Sequence, residues 1–266
     1  NPLPSLSAPE KSFYRVLEDL HDHLPALTLV GGWVPFIYAR HVWKTETVHL
    51  VTTVDIDFGL TGQAPASSKE TIFETLSKLD YRERHMDIGR LRPIVFYKEG
   101  KIPVEFIADA VMKTTAIAAI LGPEIHVNRL EGFESLMKNR LGVGIKARLQ
   151  TLTLYCPRPS AFLLHKLATV TQREDDFKRA KDLYYAYFVL RYVPDIASLY
   201  REVQEYRGQG VFPQVPGNIE AYFSSLTSRG CLWVERENGP DEYIRDVRRD
   251  AYERFNKLNG ALRSSG

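Results

Sequence analysis

Apolar and polar residues follow two different periods along the chain, and the change of period divides the chain into two parts. The β-type runs of the first part predict strands at 27–30, 49–60, 81–85, 94–97, 102–108 and 149–155. The helical periods of that part predict helices at 7–24, 33–40, 69–79 and 131–140. Beyond these, apolar residues recur only at helical spacing, near 160–170, 178–192, 195–207, 217–228 and 240–262. We therefore predict an α+β fold, with a mixed sheet flanked by helices in domain 1–155 and an all-helical C-terminal domain, 156–266.

Two segments of the first domain are predicted as loops. Residues 41–48 are polar, and residues 141–146 read Leu-Gly-Val-Gly-Ile-Lys. In the predicted strand 49–60, alternation places Val54, Ile56 and Phe58 toward the core.

Three carboxylates fall on predicted strands of the first domain. Asp55 and Asp57 lie two positions apart and share one strand face, while Glu105 interrupts an otherwise apolar strand. A single carboxylate in a strand is most often a solvated charge on an edge strand. Two carboxylates on one face repel each other, and a divalent cation that bridges them relieves this repulsion. Hard oxygen ligands of this kind suit Mg²⁺, which is usually held by one or two carboxylates plus substrate phosphates.

Two glycines follow the first predicted strand and open a predicted helix. Gly31 and Gly32 permit backbone N–H groups to approach a phosphate at the helix N-terminus. Trp33, directly after them, is expected in the core more than as a nucleobase stacker. Glycines and carboxylates in this order suit phosphoryl or nucleotidyl transfer, in which metal ions clamp the attacking and leaving oxygens.

Charge and composition narrow the class of protein. The chain has 266 residues and a net charge of +2, which permits contact with nucleic acid without arguing for it. Cys156 and Cys231 have no CxxC partner, so we expect no structural zinc and two buried thiols in a reducing cytosol. No apolar run reaches about 18 residues, so no membrane span is expected. Because no export signal is evident either, the sequence predicts a cytoplasmic protein.

Basic residues of the helical domain are candidates for binding an anion. Lys166 and Arg173 lie seven residues apart, which is two turns of a helix and hence one face; the alternative is that both are surface bases whose heads reach solvent. Lys181 and Asp182 belong either to a site or to a solvated face with local ion pairs. A basic patch that could steer tRNA, or an ordinary solvated face, is formed by Lys138, Arg140, Lys146 and Arg148. All seven histidines are interpreted as ordinary.

The ordered set Gly31-Gly32, Asp55-x-Asp57 and Glu105 resembles the polymerase-β-like nucleotidyltransferase superfamily. The Val-Gly-Gly-Trp form is similar to the aminoglycoside and lincosamide nucleotidyltransferases. The second half resembles the AbiEii-type toxin nucleotidyltransferases of type IV toxin–antitoxin systems, through Pro157-x-Pro159-x-x-Phe-Leu-Leu-His-Lys166, then Arg173, then Lys181-Asp182-Leu183.

The resemblance implies a sheet of the nucleotidyltransferase type and an enzyme that needs Mg²⁺. The enzyme moves a nucleoside monophosphate from an NTP to an acceptor hydroxyl. Asp55 and Asp57 would hold the metals, and Glu105 would complete the metal site or act as base. The implied nucleotide-binding residues are Gly31, Gly32, Lys166, Arg173, Lys181 and Asp182.

The resemblance leaves the acceptor open. The AbiEii-like half favours RNA such as tRNA, or a protein, with a toxin role and an antitoxin as partner. The Gly-Gly-Trp feature favours a small-molecule antibiotic. A third hypothesis is an inactive nucleotide-sensing or protein-binding module, because the Gly32–Asp55 spacing is long, with residues 41–50 as an apparent insertion, and Gly32 replaces a common Ser.

Overall fold

The computed structural model describes residues 6–45, 53–65, 68–85, 94–123, 125–138, 140–147, 150–239 and 246–263. The chain divides into two compact units. The first unit is Asn1–Val34 with Thr52–Pro157, and the second is Pro35–Val51 with Arg158–Gly266. The predicted strand positions 49–52, and Arg148 of the basic patch, lie outside the described residues.

A capped helix begins the first unit. Helix α1 (Ala8–Asp19) starts at a capping box, in which Ser7 Oγ accepts from Glu10 N and the Glu10 carboxylate accepts from Ser7 N. The helix ends at Asp19, earlier than predicted. The following residues, His21–Ala26, form a separate 3₁₀ helix that contains Pro25. Strand β1 (Leu27–Val30) follows, and all four of its residues are buried.

The chain then turns through the glycines into a helical stretch. The 3₁₀ turn Gly31–Trp33 leads into α2 (Val34–Ile37) and a π-helix, Tyr38–Trp43. The prediction of a loop at 41–48 is therefore wrong for its first three residues.

A mixed sheet is the centre of the first unit, as predicted, and one of its six strands, Asn128–Leu130, was not predicted. Its strands after β1 are β2 (Ile56–Leu60), β3 (Arg82–His85), β4 (Ile94–Tyr97), β5 (Val104–Asp109) and β6 (Asn128–Leu130). The strand order is β1-β2-β5-β4-β3, and β6 also pairs with β5. Neighbours β2 and β5 are parallel, as are β5 and β6, whereas the other pairs are antiparallel.

The two faces of this sheet differ in character. One face is core, in which Phe106 packs against Phe58 and Phe96 with ring centroids 6.2 and 5.8 Å apart. The other face carries Asp57 and Glu105, and we call it the front face. The helices of this unit that follow β2 are α3 (Ile72–Lys78), α4 (Thr114–Leu121) and α5 (Glu134–Lys138).

Strand β2 begins later than the sequence predicts. Thr53 to Asp55 form a bend before the strand, and Val54 is 82% exposed, so its prediction as a core residue is wrong. Ile56 N donates to Pro103 O, but Pro103 has no N–H with which to extend the parallel ladder toward residue 54. The strand therefore starts at Ile56.

The segment predicted as a glycine loop is a strand. Strand β7 (Arg140–Lys146) pairs antiparallel with β8 (Thr151–Pro157) along its full length. Gly142 lies opposite Tyr155, and a β-carbon at residue 142 would lie 3.4 Å from the Tyr155 ring. The Arg140 guanidinium covers the same ring at 4.2 Å. The glycine that suggested a loop is thus one member of a regular cross-strand pair.

The second unit is helical, as predicted. Its helices are α6 (Pro159–Thr169), α7 (Asp176–Tyr192), α8 (Ile196–Gly208), α9 (Val215–Phe223), α10 (Arg229–Asn238) and α11 (Val247–Arg263). Aromatic contacts join the π-helix to this bundle, because Tyr38 packs on Phe162 and Trp43 stacks on Phe188. In the described part of the chain, no helix is both long enough and apolar enough to cross a membrane.

Candidate active site

Asp57 and Glu105 are direct neighbours on the front face. They are register partners on the parallel strands β2 and β5, and both side chains are half-buried. Like charges directly opposite each other in a sheet destabilise it. This pair is therefore a candidate site for binding a cation.

Gly31 lies against the carboxylate of Asp57. Val30 is the register partner of Asp57, so the glycine turn starts beside it. A β-carbon built on Gly31 would lie 2.0 Å from Asp57 Oδ2, and Gly31 has a φ of +71°, which side-chain-bearing residues rarely adopt. Gly32 follows, half-buried, in the same 3₁₀ turn.

Asp55 lies in the bend before β2 and has a local hydroxyl partner. Thr53 Oγ1 donates to Asp55 Oδ1 at 2.6 Å, and Asp55 is half-buried. Thr53 was not among the predicted site residues, although a hydroxyl two residues before an aspartate is a recognisable signal for such a bond.

The donor chemistry of these residues fits a divalent cation. Carboxylate oxygens are the ligands that Mg²⁺ prefers, and one or two of them suffice when substrate phosphates complete the shell. Within the described ranges, no group of three or more His, Cys, Asp and Glu side chains is placed to hold a metal ion. The paired Asp57 and Glu105 are thus the part of the predicted metal set that strand pairing itself brings together.

The second unit contains a buried cluster of charged residues. Lys166 Nζ donates to Asp182 Oδ1 at 2.6 Å, and Arg173 Nε donates to Asp182 Oδ2 at 2.9 Å. The Lys166 and Asp182 side chains are 7% and 5% exposed, whereas that of Arg173 is 36% exposed. Two aromatic rings, of Phe162 and Tyr185, lie 5.6 Å from the Lys166 ammonium.

Electrostatics favour an ionised carboxylate in this cluster. Burial alone raises the pKa of Asp182, but Lys166 and Arg173 overcome this effect and hold the pKa below its usual value. Burial lowers the pKa of the neighbouring His165 to about 3, so its imidazole is neutral at pH 7. The histidine interpreted as ordinary is thus a strongly perturbed group, and only its burial reveals this.

Lys166 and Arg173 were grouped because two helical turns would place them on one helix face, and the structure contradicts this reason. Helix α6 ends at Thr169, and Arg173 follows a 3₁₀ turn, so the two residues do not share a helix face. They meet instead at Asp182 of α7. The alternative of Lys166 as a surface base is wrong, because this residue is buried. Lys181 lies apart from the cluster contacts, with its ammonium 5.0 Å from the Phe177 ring.

The remaining four candidates contact other parts of the first unit or solvent. Trp33 is buried and stacks on Phe13 at 4.5 Å, as expected of a core residue. Arg140 donates to the carbonyl oxygens of Pro25 and Leu27, so it ties the β7–β8 hairpin to the start of the sheet. Lys138 pairs with Glu134 at 3.3 Å, and Lys146 is exposed.

A mixed sheet with a glycine turn against one of two paired carboxylates is the arrangement expected from the resemblance to nucleotidyltransferases. The family profile described as "Nucleotidyltransferase" matches residues 14–202, and the chain belongs to that family. The family transfers nucleoside monophosphate groups, so the protein is a transferase with a nucleotide substrate. Comparison with curated proteins finds no match.

Proposed function

We propose that the protein moves a nucleoside monophosphate from an NTP to an acceptor hydroxyl of RNA or protein, in a Mg²⁺-dependent reaction. The observation that carries this proposal is the pairing of Asp57 with Glu105 on parallel strands, with Gly31 packed against Asp57. Like charges directly opposite each other on one sheet face are a place where a bound cation stabilises, and we assign this role to Mg²⁺.

Each carboxylate receives a role in this proposal. Asp55 and Asp57 hold the metal, and Glu105 completes the metal site or accepts the proton of the acceptor hydroxyl. The acceptor oxygen forms a bond to the α-phosphorus of the NTP while the bond from that phosphorus to the bridging oxygen breaks. Pyrophosphate leaves, and the proton passes to the carboxylate. Bound Mg²⁺ would supply charge neutralisation at the phosphate oxygens.

Backbone and basic groups are assigned to the phosphates. We assign the N–H groups of Gly31 and Gly32 to phosphate contact. In the second unit, Arg173 is the cation of the buried cluster that solvent reaches best, so it is the group that an anionic nucleotide can meet. Lys166 and Asp182 hold Arg173 in place, and Lys181 contributes charge. Arginine suits this role because its fork-shaped guanidinium binds phosphate oxygens in pairs.

The biological role we propose is that of a cytoplasmic AbiEii-type toxin with an antitoxin partner. The motif order from Lys166 to Asp182 supports it. Expression in a bacterial host tests the role: the wild-type chain should arrest growth, and Asp57→Ala should restore it. Unchanged growth together with acquired resistance to an aminoglycoside would instead assign a small-molecule acceptor.

Transfer of α-labelled nucleotides tests the chemistry. Each of the four labelled NTPs is incubated with Mg²⁺ and with total tRNA, a protein mixture or an aminoglycoside. The wild-type chain should label one class of acceptor, and Asp55→Ala/Asp57→Ala should label none. If wild type and variant behave alike with every acceptor, the proposed reaction is excluded. Nucleotide binding without turnover, measured by calorimetry, would identify an inactive nucleotide-sensing module.

A further inference from the structure

The row of residues that contains the two carboxylates continues across the front face to the edge of the sheet. Asp57 lies opposite Glu105, Glu105 lies opposite Val95, and Val95 lies opposite Arg84 of edge strand β3. Directly opposite residues of a sheet project from the same face. Arg84 therefore shares the front face with Asp57, three strands away, which is about 14 Å at the usual strand spacing.

A second pair of side chains lies beside this row. Tyr97 is two residues from Val95 on β4 and thus projects from the front face, and its register partner is Arg82. Every residue of β3 is exposed, and Tyr97 is 38% exposed. The edge platform, which we define as Arg82, Arg84 and Tyr97, therefore presents two guanidinium groups and an aromatic ring on the face of the carboxylates.

The chemistry of the edge platform fits a single-stranded nucleic acid. Guanidinium groups bind phosphate oxygens in a forked geometry, and exposed aromatic rings stack unpaired bases. Charged residues on an edge strand also prevent sheets from joining edge to edge. That function explains the arginines but does not call for an exposed tyrosine between them and the carboxylates.

We propose that the edge platform binds the single-stranded end of a nucleic-acid acceptor. Arg82 and Arg84 contact its phosphates and Tyr97 stacks on one of its bases, on the sheet face that carries Asp57 and Glu105. This inference rests on the proposed function and names its acceptor, since guanidinium groups beside an exposed aromatic ring suit the phosphates and bases of a nucleic acid. A small cationic acceptor gains nothing from two guanidinium groups.

Binding of a short fluorescein-labelled single-stranded RNA, followed by fluorescence anisotropy without NTP, tests the platform directly. We expect Arg82→Ala/Arg84→Ala to weaken binding at least 10-fold. The slope of log K against log salt concentration should become shallower by roughly 1.4, because two phosphate contacts are lost. Tyr97→Ala should weaken binding roughly 5- to 100-fold. Arg82→Lys/Arg84→Lys keeps the charges and should retain most of the salt dependence.

A matched control uses two other basic residues of the first unit. Lys11→Ala/Lys69→Ala also removes two exposed positive charges, outside the basic patch of Lys138 and Lys146, and we expect it to change Kd less than twofold. Circular dichroism melting shows that each variant is folded. If the platform variants bind RNA as the wild type does, or if the wild type binds no RNA, the inference is overturned.

The transfer assay separates this inference from the proposed function. RNA binding that depends on the edge platform, with no transfer to any acceptor, would overturn the function and leave the platform in place. Transfer to a protein or to a small molecule, with RNA binding absent, would overturn the platform and leave the function in place.

Discussion

The carboxylate of Asp57 occupies the space in which a side chain at Gly31 would begin. A β-carbon at residue 31 would lie 2.0 Å from Asp57 Oδ2 and 3.0 Å from Asp57 Cγ. The glycine turn and the candidate metal ligand therefore form one structural unit, and the position of Asp57 depends on a bare backbone at residue 31.

Gly31→Ala should lower nucleotide transfer while the protein still folds. We expect nucleotide transfer to fall by roughly 100-fold, because a displacement of about 1 Å at a reacting group can have that effect. Gly100→Ala is the matched control, since Gly100 has a φ of +72° but no atom within 4 Å of its β-carbon position. It should lose only about 1–2 kcal/mol of stability and keep its activity. Equal activity of the two variants would contradict the predicted role of Gly31.

The buried cluster of the second unit should show strong coupling between Lys166 and Asp182. Lys166→Met removes one of two cations from a buried carboxylate, so we expect the free energy of unfolding to fall by about 3–5 kcal/mol. Asp182→Asn should be similarly costly. The double variant should lose clearly less than the sum of the two, because neither charge is then left without its partner. Urea denaturation measures all three.

A surface pair provides the control for that cycle. Arg249 and Asp246 form an exposed ion pair at 3.2 Å, and Arg249→Met, which leaves the Asp246 cap of α11 in place, should change stability little. If the stability losses of Lys166→Met and Asp182→Asn simply add in the double variant, the contact between Lys166 and Asp182 is no stronger than this surface ion pair.

Stability should fall in mild acid because of His165. Burial is the main reason that the folded-state pKa is about 3, and Lys166 and Arg173 lower it further, whereas Asp182 opposes them. The unfolded value is about 6.5. Between these values the unfolded chain binds a proton that the folded chain does not, so stability decreases as pH falls, by up to about 1.4 kcal/mol per pH unit.

Urea denaturation at pH 7.5, 6 and 5 measures this slope, and His165→Gln should reduce it. His23 and His41, whose pKa values burial also lowers, account for a remaining part of the slope. The carboxylate of Asp182 contributes in a lower window, because its depressed pKa gives stability that is lost only below about pH 3.9. An unchanged slope in His165→Gln would contradict the prediction.

Alternation along the chain predicted five of the six strands of the sheet, all except β6, and the face of Glu105. It failed where pairing with a neighbouring strand, and not the hydrophobic period of the segment, determines the structure. Val54 continues the apolar alternation of β2, but the missing N–H of Pro103 ends the ladder before it. Gly142 looks like a loop residue, yet it faces the Tyr155 ring across β7 and β8.

The grouping of Lys166, Arg173 and Asp182 also follows from the sequence motif, whereas their geometry does not. A motif gives the order of residues but not the turn that separates α6 from Arg173. Burial of His165 and the placement of Arg84 in the row of Asp57 depend on packing and strand register, which no local pattern contains.

Pyrophosphate release coupled to nucleotide transfer tests the central claim, that Asp57 and Glu105 form a metal-dependent transfer site. We expect one pyrophosphate to be released per nucleotide transferred in the presence of Mg²⁺, and none after chelation of Mg²⁺ with EDTA. Asp57→Asn and Glu105→Gln should each lose at least 100-fold, while Glu83→Gln, which removes an exposed carboxylate from the same sheet, should retain wild-type activity. Equal pyrophosphate release by wild type, Asp57→Asn and Glu105→Gln would contradict the central claim.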